Sequence, residues 1–524
     1  MIWHIFRKDW KLLWPLVAVV TGGQLASAAT WQLLGVFGEP KGLLLVAQVF
    51  SYLVFLGIAS LICAVVQQDS VAGVAQDWLI RPIPRGMVLR EKLLFVLVCV
   101  HVPMLVVDVS HGLAAGSTVG QAMAAALLRT GCVMLAFDLP VMALASMTKT
   151  LVQVIAGFLA VWLLVVIIVA VGIAARGGQA PVFAATGMQW MTPAFWAAVA
   201  MAAASMILPL QYFRRAVRLA RAVSVGAAVL AALLSFVPWS WAFSAQQWFS
   251  GSSAASESVR LAFDGGAARA LAEPGAVSSN SIRLPIEVSG LAADSMVLND
   301  RAEIRIVNSG GMELYRGRTV GQMGYGDDFR VRAEKGETVR TYQRVDLPDK
   351  VFALIRDQPV RIEIDYSLSL LQVDGEVTMT ALAGSTYSDK FGACRAKLDP
   401  DGDSVEFGCF RAGGAEACIG ATLENSLTGI RNPETPLCSP DYAPFAVHVI
   451  PDAVGRIAGE VRFRDPLGLA KYPVDGSQLG DARVRLMSFR PAGHFRRQLV
   501  ASGIRLSDWT ATPQVNGRPQ QAVD

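Results

Sequence analysis

The chain has 524 residues, more than half of them apolar, and a formal net charge of +4 at neutral pH. The charge is divided unevenly: the first 249 residues carry 15 basic and 7 acidic side chains, and the remainder carries 31 and 35. The cationic half is also the apolar half, and its charges form short clusters between apolar runs, which argues against nucleic acid as a partner. The pattern is typical of a membrane region joined to a polar one.

Seven apolar runs are each long enough, at about 20 residues, to cross the hydrocarbon core of a bilayer. A segment rich in tryptophan and basic residues precedes the first run and predicts a helix in the membrane interface. The runs are 12–37, 42–66, 93–112, 121–147, 151–175, 191–213 and 222–243.

Basic residues are concentrated in alternate loops, as the positive-inside rule predicts. One predicted cytoplasmic loop holds Arg81, Arg85 and Arg90, the next holds Lys149, and the last holds four arginines within 214–221. We therefore predict a multi-pass protein of a bacterial cytoplasmic membrane. Its N-terminus would lie in the cytoplasm, and the chain after the seventh span would lie outside.

The segment between the second and third runs is polar and basic, with the sequence QQDSVAGVAQDWLIRPIPRGMVLREK over 67–92. Pro82 and Pro84 forbid a continuous helix, because proline lacks an N–H donor and restricts the residue before it. The sequence predicts a short surface helix over 69–78 and then a turn. An acidic residue, a glycine, an apolar pair, an arginine–proline turn and a lysine follow one another: Asp69, Gly73, Leu79, Ile80, Arg81, Pro82, Ile83, Pro84, Arg85 and Lys92.

This pattern resembles the loop between the first two core helices of the type-two exporter class of ATP-binding cassette (ABC) transporter permeases. In that family the loop carries a coupling helix that sits on the ATPase subunit. The resemblance implies that ATP binds to a separate ABC ATPase and that this chain pairs with itself or with a sister permease. The family usually has six spans with both ends inside, so a seventh span and an outer domain are departures from it.

The resemblance also implies a role for each residue of the loop. Three side chains would contact the ATPase, the prolines would hold the turn, and two cations would fix the loop at the interface. The alternative is that any cytoplasmic loop is basic and that proline commonly ends a helix. The contacts with the ATPase would be made by Asp69, Asp77 and Trp78. The turn would be held by Pro82 and Pro84, and the cations at the interface would be Arg85 and Lys92.

Four ionisable residues lie within the predicted third and fourth spans, where such side chains are costly and often functional. His101 and Asp108 belong to the third span, and Arg129 and Asp138 belong to the fourth. Because the two helices run in opposite directions, Asp108 and Arg129 can form an ion pair near the outer side. The alternative is that both side chains reach the interface independently.

After the seventh span the periodicity changes. Residues 248–257 predict a flexible linker, and 258–510 alternate apolar with polar residues as half-buried strands do. Asp374 and Gly375 predict a hairpin turn. The predicted fold is a polytopic α-helical membrane domain over 1–247 and an all-β, sandwich-like extracytoplasmic domain, with a flexible tail over 511–524.

The cysteines divide in the same way. Three lie inside apolar runs, and four are clustered in the polar half: Cys394, Cys409, Cys418 and Cys438. Outside the cytoplasm, four such cysteines favour two disulfides, with three possible pairings. A zinc site is the alternative, although no CxxC pair is present.

Motifs for chemistry are few. The chain has no GxxxxGK[ST] loop for ATP phosphates and no HExxH, so we predict neither an enzyme nor a bound metal or cofactor. Three aspartates within 399–403 resemble the start of a calcium loop, but the spacing does not continue and a polar turn is the alternative.

The leading prediction is the permease subunit of an ABC exporter. The alternatives are a membrane-anchored binding or signalling protein without an ATPase, and an envelope assembly factor.

Overall fold

A computed structural model gives the fold. It describes residues 2–34, 41–69, 85–175, 191–250, 254–265, 269–271, 279–320, 330–333, 336–382, 384–398, 404–413, 418–425, 427, 435–438, 450, 452–462, 481–508, 514–515 and 518–519. The statements below concern these residues.

Long helices fill the N-terminal half. In chain order they are α1 (Ile2–Leu34), α2 (Lys41–Gln68), α3 (Arg85–Val96), α4 (Val102–Ala114), α5 (Val119–Val133), α6 (Leu139–Ser146), α7 (Leu151–Ala175), α8 (Met191–Pro209), α9 (Val217–Leu234), α10 (Trp239–Ser250) and α11 (Ala254–Ser258). A further helix, α12 (Asp349–Ile355), lies among the strands.

Three five-residue π-helical segments interrupt these helices: Leu97–His101, Met134–Asp138 and Leu210–Arg214. The first two lie directly before Pro103 and Pro140, near the starts of α4 and α6. Proline clashes with the carbonyl four residues before it and offers that carbonyl no N–H. A wider turn ahead of each proline relieves this conflict, so the third and fourth spans continue instead of ending.

Seven of the described helical segments are long and apolar enough to cross a membrane, which agrees with the seven runs in the sequence. Two boundaries differ from the prediction. α1 continues without a break from Ile2 through the first span. The seventh candidate span is α9, which ends at Leu234, whereas the sequence predicts a span over 222–243. Pro238 then precedes the separate helix α10, because proline is well tolerated at the start of a helix.

Strands make up most of the C-terminal half. They are β1 (Arg260–Phe263), β2 (Arg269–Leu271), β3 (Ser279–Ser289), β4 (Ser295–Asn308), β5 (Glu313–Val320), β6 (Arg330–Ala333), β7 (Val339–Pro348), β8 (Val360–Thr380), β9 (Ser385–Ser388), β10 (Gly392–Leu398), β11 (Ser404–Ala412), β12 (Cys418–Asn425), β13 (Thr435–Cys438), β14 (Val454–Arg462), β15 (Ala482–Ile504), β16 (Gln514–Val515) and β17 (Arg518–Pro519).

The strands form antiparallel sheets. A seven-stranded sheet has the order β13-β12-β15-β8-β4-β5, with β6 also paired to β4. Two four-stranded sheets accompany it: β1-β3-β2 with β7 on β3, and β14-β11-β10-β9. β16 and β17 pair within the predicted tail. The all-β prediction is confirmed at this level, whereas closure of the sheets into a sandwich is not evident in the described residues.

Three apolar cores lie in the described part of the β-region, and the two largest of them share the strands β8 and β15. The first contains side chains of β3, β4 and β7 together with the first half of β8 and the second half of β15. The second contains side chains of β10, β11, β12 and β14 with the other ends of β8 and β15. Because β8 and β15 pair along nearly their whole length, these two strands join the cores.

The predicted hairpin turn at Asp374 and Gly375 is wrong, since β8 runs straight through both residues. Gly375 pairs with Ser488 and Val373 with Phe489, so Asp374 is the extra residue of a β-bulge. A Cβ on Gly375 would lie 2.7 Å from Cγ of Lys390, whose ammonium pairs with Asp374. The Asp-Gly pair therefore forms a β-bulge that brings Gly375 close to the Lys390 side chain, and it does not form a turn.

Candidate functional site

A cluster of buried charges joins the first three spans on the side where α2 ends and α3 begins. Lys92 of α3 donates to the carboxylate of Asp69 at 2.6 Å and to that of Asp9 in α1. Lys8 contributes a second cation, 2.9 Å from Asp69 and 3.2 Å from Asp9. Glu91 lies 3.3 Å from the Lys92 ammonium. We refer to these five residues as the charge cluster.

The charge cluster is shielded from solvent. The side chains of Asp9, Glu91 and Lys92 are fully buried, and only Lys8 reaches the surface. Burial alone would raise the pKa of Asp69, but the Lys92 charge and the hydrogen bonds from Lys92 and Lys8 outweigh it and lower that pKa. Asp69 is therefore ionised at neutral pH. Charges withdrawn from water are stable only when paired, so these three helices are tied together here.

The charge cluster flanks the proline-containing loop. Asp69 directly follows α2, and Arg85 is the first residue of α3. The start of α3 also contacts the third π-helical segment, where a Cβ on Gly86 would lie 3.3 Å from the Phe213 ring. The other predicted loop residues, and with them the predicted surface helix, lie outside the described residues: Gly73, Asp77, Trp78, Arg81, Pro82 and Pro84.

The structure describes the contacts of two of the predicted loop residues. The charged groups of Asp69 and Lys92 bind each other inside the protein. An ATPase contact of Asp69 and an interfacial role of Lys92 stay predictions. Three members of the charge cluster, Lys8, Asp9 and Glu91, were not predicted as site residues. The sequence does contain a signal for these three residues. Two pairs of adjacent opposite charges, Lys8 with Asp9 and Glu91 with Lys92, each lie beside an apolar run.

The four ionisable residues of the third and fourth spans form two pairs. Arg129 donates to Asp108 at 2.5 Å, so these two residues do face each other. His101 instead lies against Asp138, with Nε2 of His101 2.5 Å from Oδ2 of Asp138. Both members of this second pair are buried, and each is the last residue of a π-helical segment.

Disulfide bonding stabilises the β-region. Cys394 and Cys409 are directly opposite each other on β10 and β11 and form a disulfide. Cys418 is also disulfide-bonded, and its neighbour across the ladder is Cys438. The predicted alternative of a zinc site has no support here, because the cysteines with described side chains are bonded or lie apart in the helices. The three aspartates of the predicted calcium loop lie outside the described residues.

The β-region contacts the helices both near α10 and near the turn between α4 and α5. Near α10, the amide of Gln246 lies 2.7 Å from Nε2 of His494 on β15, and Nδ1 of that ring lies 3.0 Å from the Ser250 hydroxyl. At the turn between α4 and α5, the Tyr387 hydroxyl donates to Gln121 at 3.0 Å. The second contact lies at the end of the helices opposite the charge cluster.

No protein-family profile matches the chain, and no curated protein matches it. Two crystal forms of a bacterial adhesin from Mobiluncus mulieris, with intramolecular disulfide, isopeptide and ester bond cross-links, show a weak structural likeness. Each is 10% identical to this chain, with TM-scores of 0.12 and 0.11. The alignments cover 47% and 46% of this chain, and 100% and 98% of the adhesin chains.

Proposed function

We propose that the chain is the transmembrane subunit of an ATP-driven exporter in a bacterial cytoplasmic membrane, and that a separate ATPase docks on the loop between α2 and α3. The charge cluster carries this proposal. It connects the two ends of that loop through Asp69 and Lys92 and extends to α1 through Asp9. A force applied to the loop therefore acts on three helices together.

The coupling step follows from the cost of separating buried charges. Pulling Asp69 away from Lys92 would take its buried cation away from the Asp69 carboxylate and leave only the partly exposed Lys8 beside it, and weakening a buried ion pair is costly. When nucleotide-driven closure of the ATPases moves the loop, α1, α2 and α3 consequently move as a unit. Two copies of the chain, or one copy and a sister permease, would enclose the path for the substrate.

The proposed orientation puts the charge cluster in the cytoplasm and the β-region outside. Basic residues in alternate loops support it, and so does the Cys394–Cys409 disulfide, since such bonds persist in oxidising compartments. The β-region contacts the turn between α4 and α5, at the opposite end of the helices from the charge cluster.

Purification of the native protein in mild detergent, with mass spectrometry of its partners, tests the proposal. We expect a P-loop ATPase in near-equal amount, and we expect Asp77→Ala with Arg85→Ala to reduce both its recovery and the ATPase coupling. Lys149→Ala with Thr150→Ala, in another predicted cytoplasmic loop, is the matched control. A folded loop variant that retains the ATPase and normal coupling would contradict the docking role.

A second candidate is a membrane-anchored binding protein that signals without an ATPase. The observation in its favour is that the β-region contacts the helices both near α10 and at the start of α5, so a ligand bound outside would act on the spans. This candidate predicts that no ATPase is recovered from a folded sample and that changes in the loop over 69–85 are tolerated.

A further inference from the structure

A cavity of about 500 Å³, with both polar and apolar side chains in its wall, lies between the helices and the β-region. Helices α1, α2, α4 and α5 form its walls, and residues of β11 and 452–456 cover it. A cavity of this volume can hold a small organic molecule or a lipid headgroup. It is at the end of the helices opposite the charge cluster, where Asp108 and Arg129 form their ion pair.

The cavity wall contains buried polar atoms without a hydrogen-bond partner among the described residues. Gln24 is only 5% exposed, and neither its amide oxygen nor its amide nitrogen has a partner. The same is true of Oδ2 of Asp108 and Nε of Arg129. Buried donors and acceptors in proteins are nearly always satisfied, so this concentration of unsatisfied groups indicates a ligand with both acceptors and donors.

Charges of both signs line the cavity. Asp108 of α4 and Asp452 of the β-region both line the cavity, so two carboxylates belong to its wall. Arg129 and Arg456 supply two guanidinium groups to the same cavity. A purely anionic ligand would be repelled by the carboxylates, and a purely cationic one by the arginines. A ligand that carries both charges avoids either conflict.

We propose that this cavity binds a zwitterion that has an ammonium group together with a phosphate or a carboxylate. Asp108 and Asp452 accept hydrogen bonds from the ammonium group, and Arg129 donates to the anion. The side-chain amide of Gln24 offers a donor and an acceptor to the ligand atoms that connect the ammonium group to the anion. The headgroup of phosphatidylethanolamine has this chemistry, and so has a free zwitterion of similar size.

The test uses the full chain in detergent and does not require ATP or a partner, so its outcome is independent of the exporter proposal. The protein is exposed to equal amounts of phosphatidylethanolamine and phosphatidylglycerol, and the retained lipid is measured by mass spectrometry. Glycerophosphoethanolamine, the soluble headgroup, is titrated separately by calorimetry. We expect preferential retention of the zwitterionic lipid, binding of the soluble headgroup, or both.

Two variants assign the binding to this cavity. Gln24→Leu removes the unsatisfied amide, and Asp108→Asn with Arg129→Gln removes both charges without a net change. Each should weaken binding by about tenfold or more, because each removes hydrogen bonds to a charged ligand. Ser205→Ala on the exposed face of α8 should leave binding unchanged.

The outcomes distinguish the two sources of the ligand. Retention of the lipid without binding of the soluble headgroup assigns the site to a membrane lipid, and binding of the soluble headgroup shows that the acyl chains are not required. Equal retention of both lipids with no binding of the headgroup would overturn the proposal. So would binding that is unaffected in both variants while they remain monodisperse.

Discussion

At the scale of single residues, Lys92 is the most consequential side chain in the helical region. Its ammonium is fully buried and contacts three carboxylates: Asp9 of α1, Asp69 directly after α2, and Glu91 of α3 itself. Hydropathy alone could not reveal this, because the apolar shell around Lys92 comes from helices distant in sequence. The pairing of Asp108 with Arg129 could be predicted from the sequence. One short loop joins their two antiparallel helices, and each residue lies a turn or more from that loop.

Replacing Lys92 with methionine should destabilise the protein by about 3–5 kcal/mol, because Asp9 and Asp69 would be left buried without their main cation. The measurement is thermal unfolding of the purified full chain in detergent. Lys149→Met, at an exposed position, is the matched control and should have little effect. An equal unfolding temperature for both variants would show that the charge cluster does not hold the helices together.

Glu91→Gln should behave in the opposite way. The charge cluster contains three carboxylates and two ammonium groups, so it has one negative charge in excess. Neither oxygen of Glu91 has a hydrogen-bond partner among the described residues. The amide keeps the shape and removes the excess charge, and we expect stability equal to or above that of the parent protein. Asp69→Asn, compared in the same unfolding assay, should be less stable.

At the scale of secondary-structure elements, the spans could be predicted because a bilayer fixes their length and composition. Contacts between elements could not. His101 pairs with Asp138 because π-helical segments before Pro103 and Pro140 rotate both side chains relative to a regular helix. The Asp374-Gly375 pair satisfies a turn rule, yet β8 continues because both its ends pack into apolar cores.

The contact between α10 and β15 should depend on pH. Burial lowers the pKa of His494 to about 4 from an ordinary value of 6.5, so the neutral ring is the stable form. Its contribution is fully present above pH 6.5 and is lost as pH falls through about 4. The loss should reach about 3 kcal/mol, at about 1.4 kcal/mol for each unit of pKa shift.

Unfolding temperatures of the full chain between pH 7.5 and 4 test this dependence. His494→Gln cannot titrate and should show a smaller decrease on acidification than the parent protein. His4→Gln, at an exposed position of α1, is the matched control and should follow the parent. Identical pH profiles for the parent and His494→Gln would mean that the ring does not control stability in acid.

At the scale of the whole molecule, the proposed orientation depends on the charged loops and on the oxidised cysteines. The sequence predicted two disulfides with open pairing, and the Cys394–Cys409 bond resolves one of them. The spacing of 15 residues could not select this partner. The selection comes from the register of β10 with β11, which places the two cysteines opposite each other.

Replacing Cys394 and Cys409 with serine should lower stability by about 3 kcal/mol, because the bond closes a loop with a sequence separation of 15. Unfolding of the purified full chain measures this effect. Reductant added to the parent should lower stability by at least as much, because it also breaks the disulfide of Cys418. Cys132→Ser, a free cysteine of α5, is the control.

The proposed orientation makes a separate prediction about protease access. An added protease should cut the β-region in spheroplasts and spare it in inverted vesicles. The reverse pattern would contradict the orientation.

The contacts between the β-region and the helices have a mechanical consequence. A body that touches two separate parts of a structure resists their movement relative to each other. The contacts at His494 and at Tyr387 belong to two ends of one β-region whose cores are joined by β8 and β15. If α10 moves relative to the turn between α4 and α5, the β-region must deform or release one of these contacts. It therefore acts as a brace that restrains the relative motion of these two parts of the helical region.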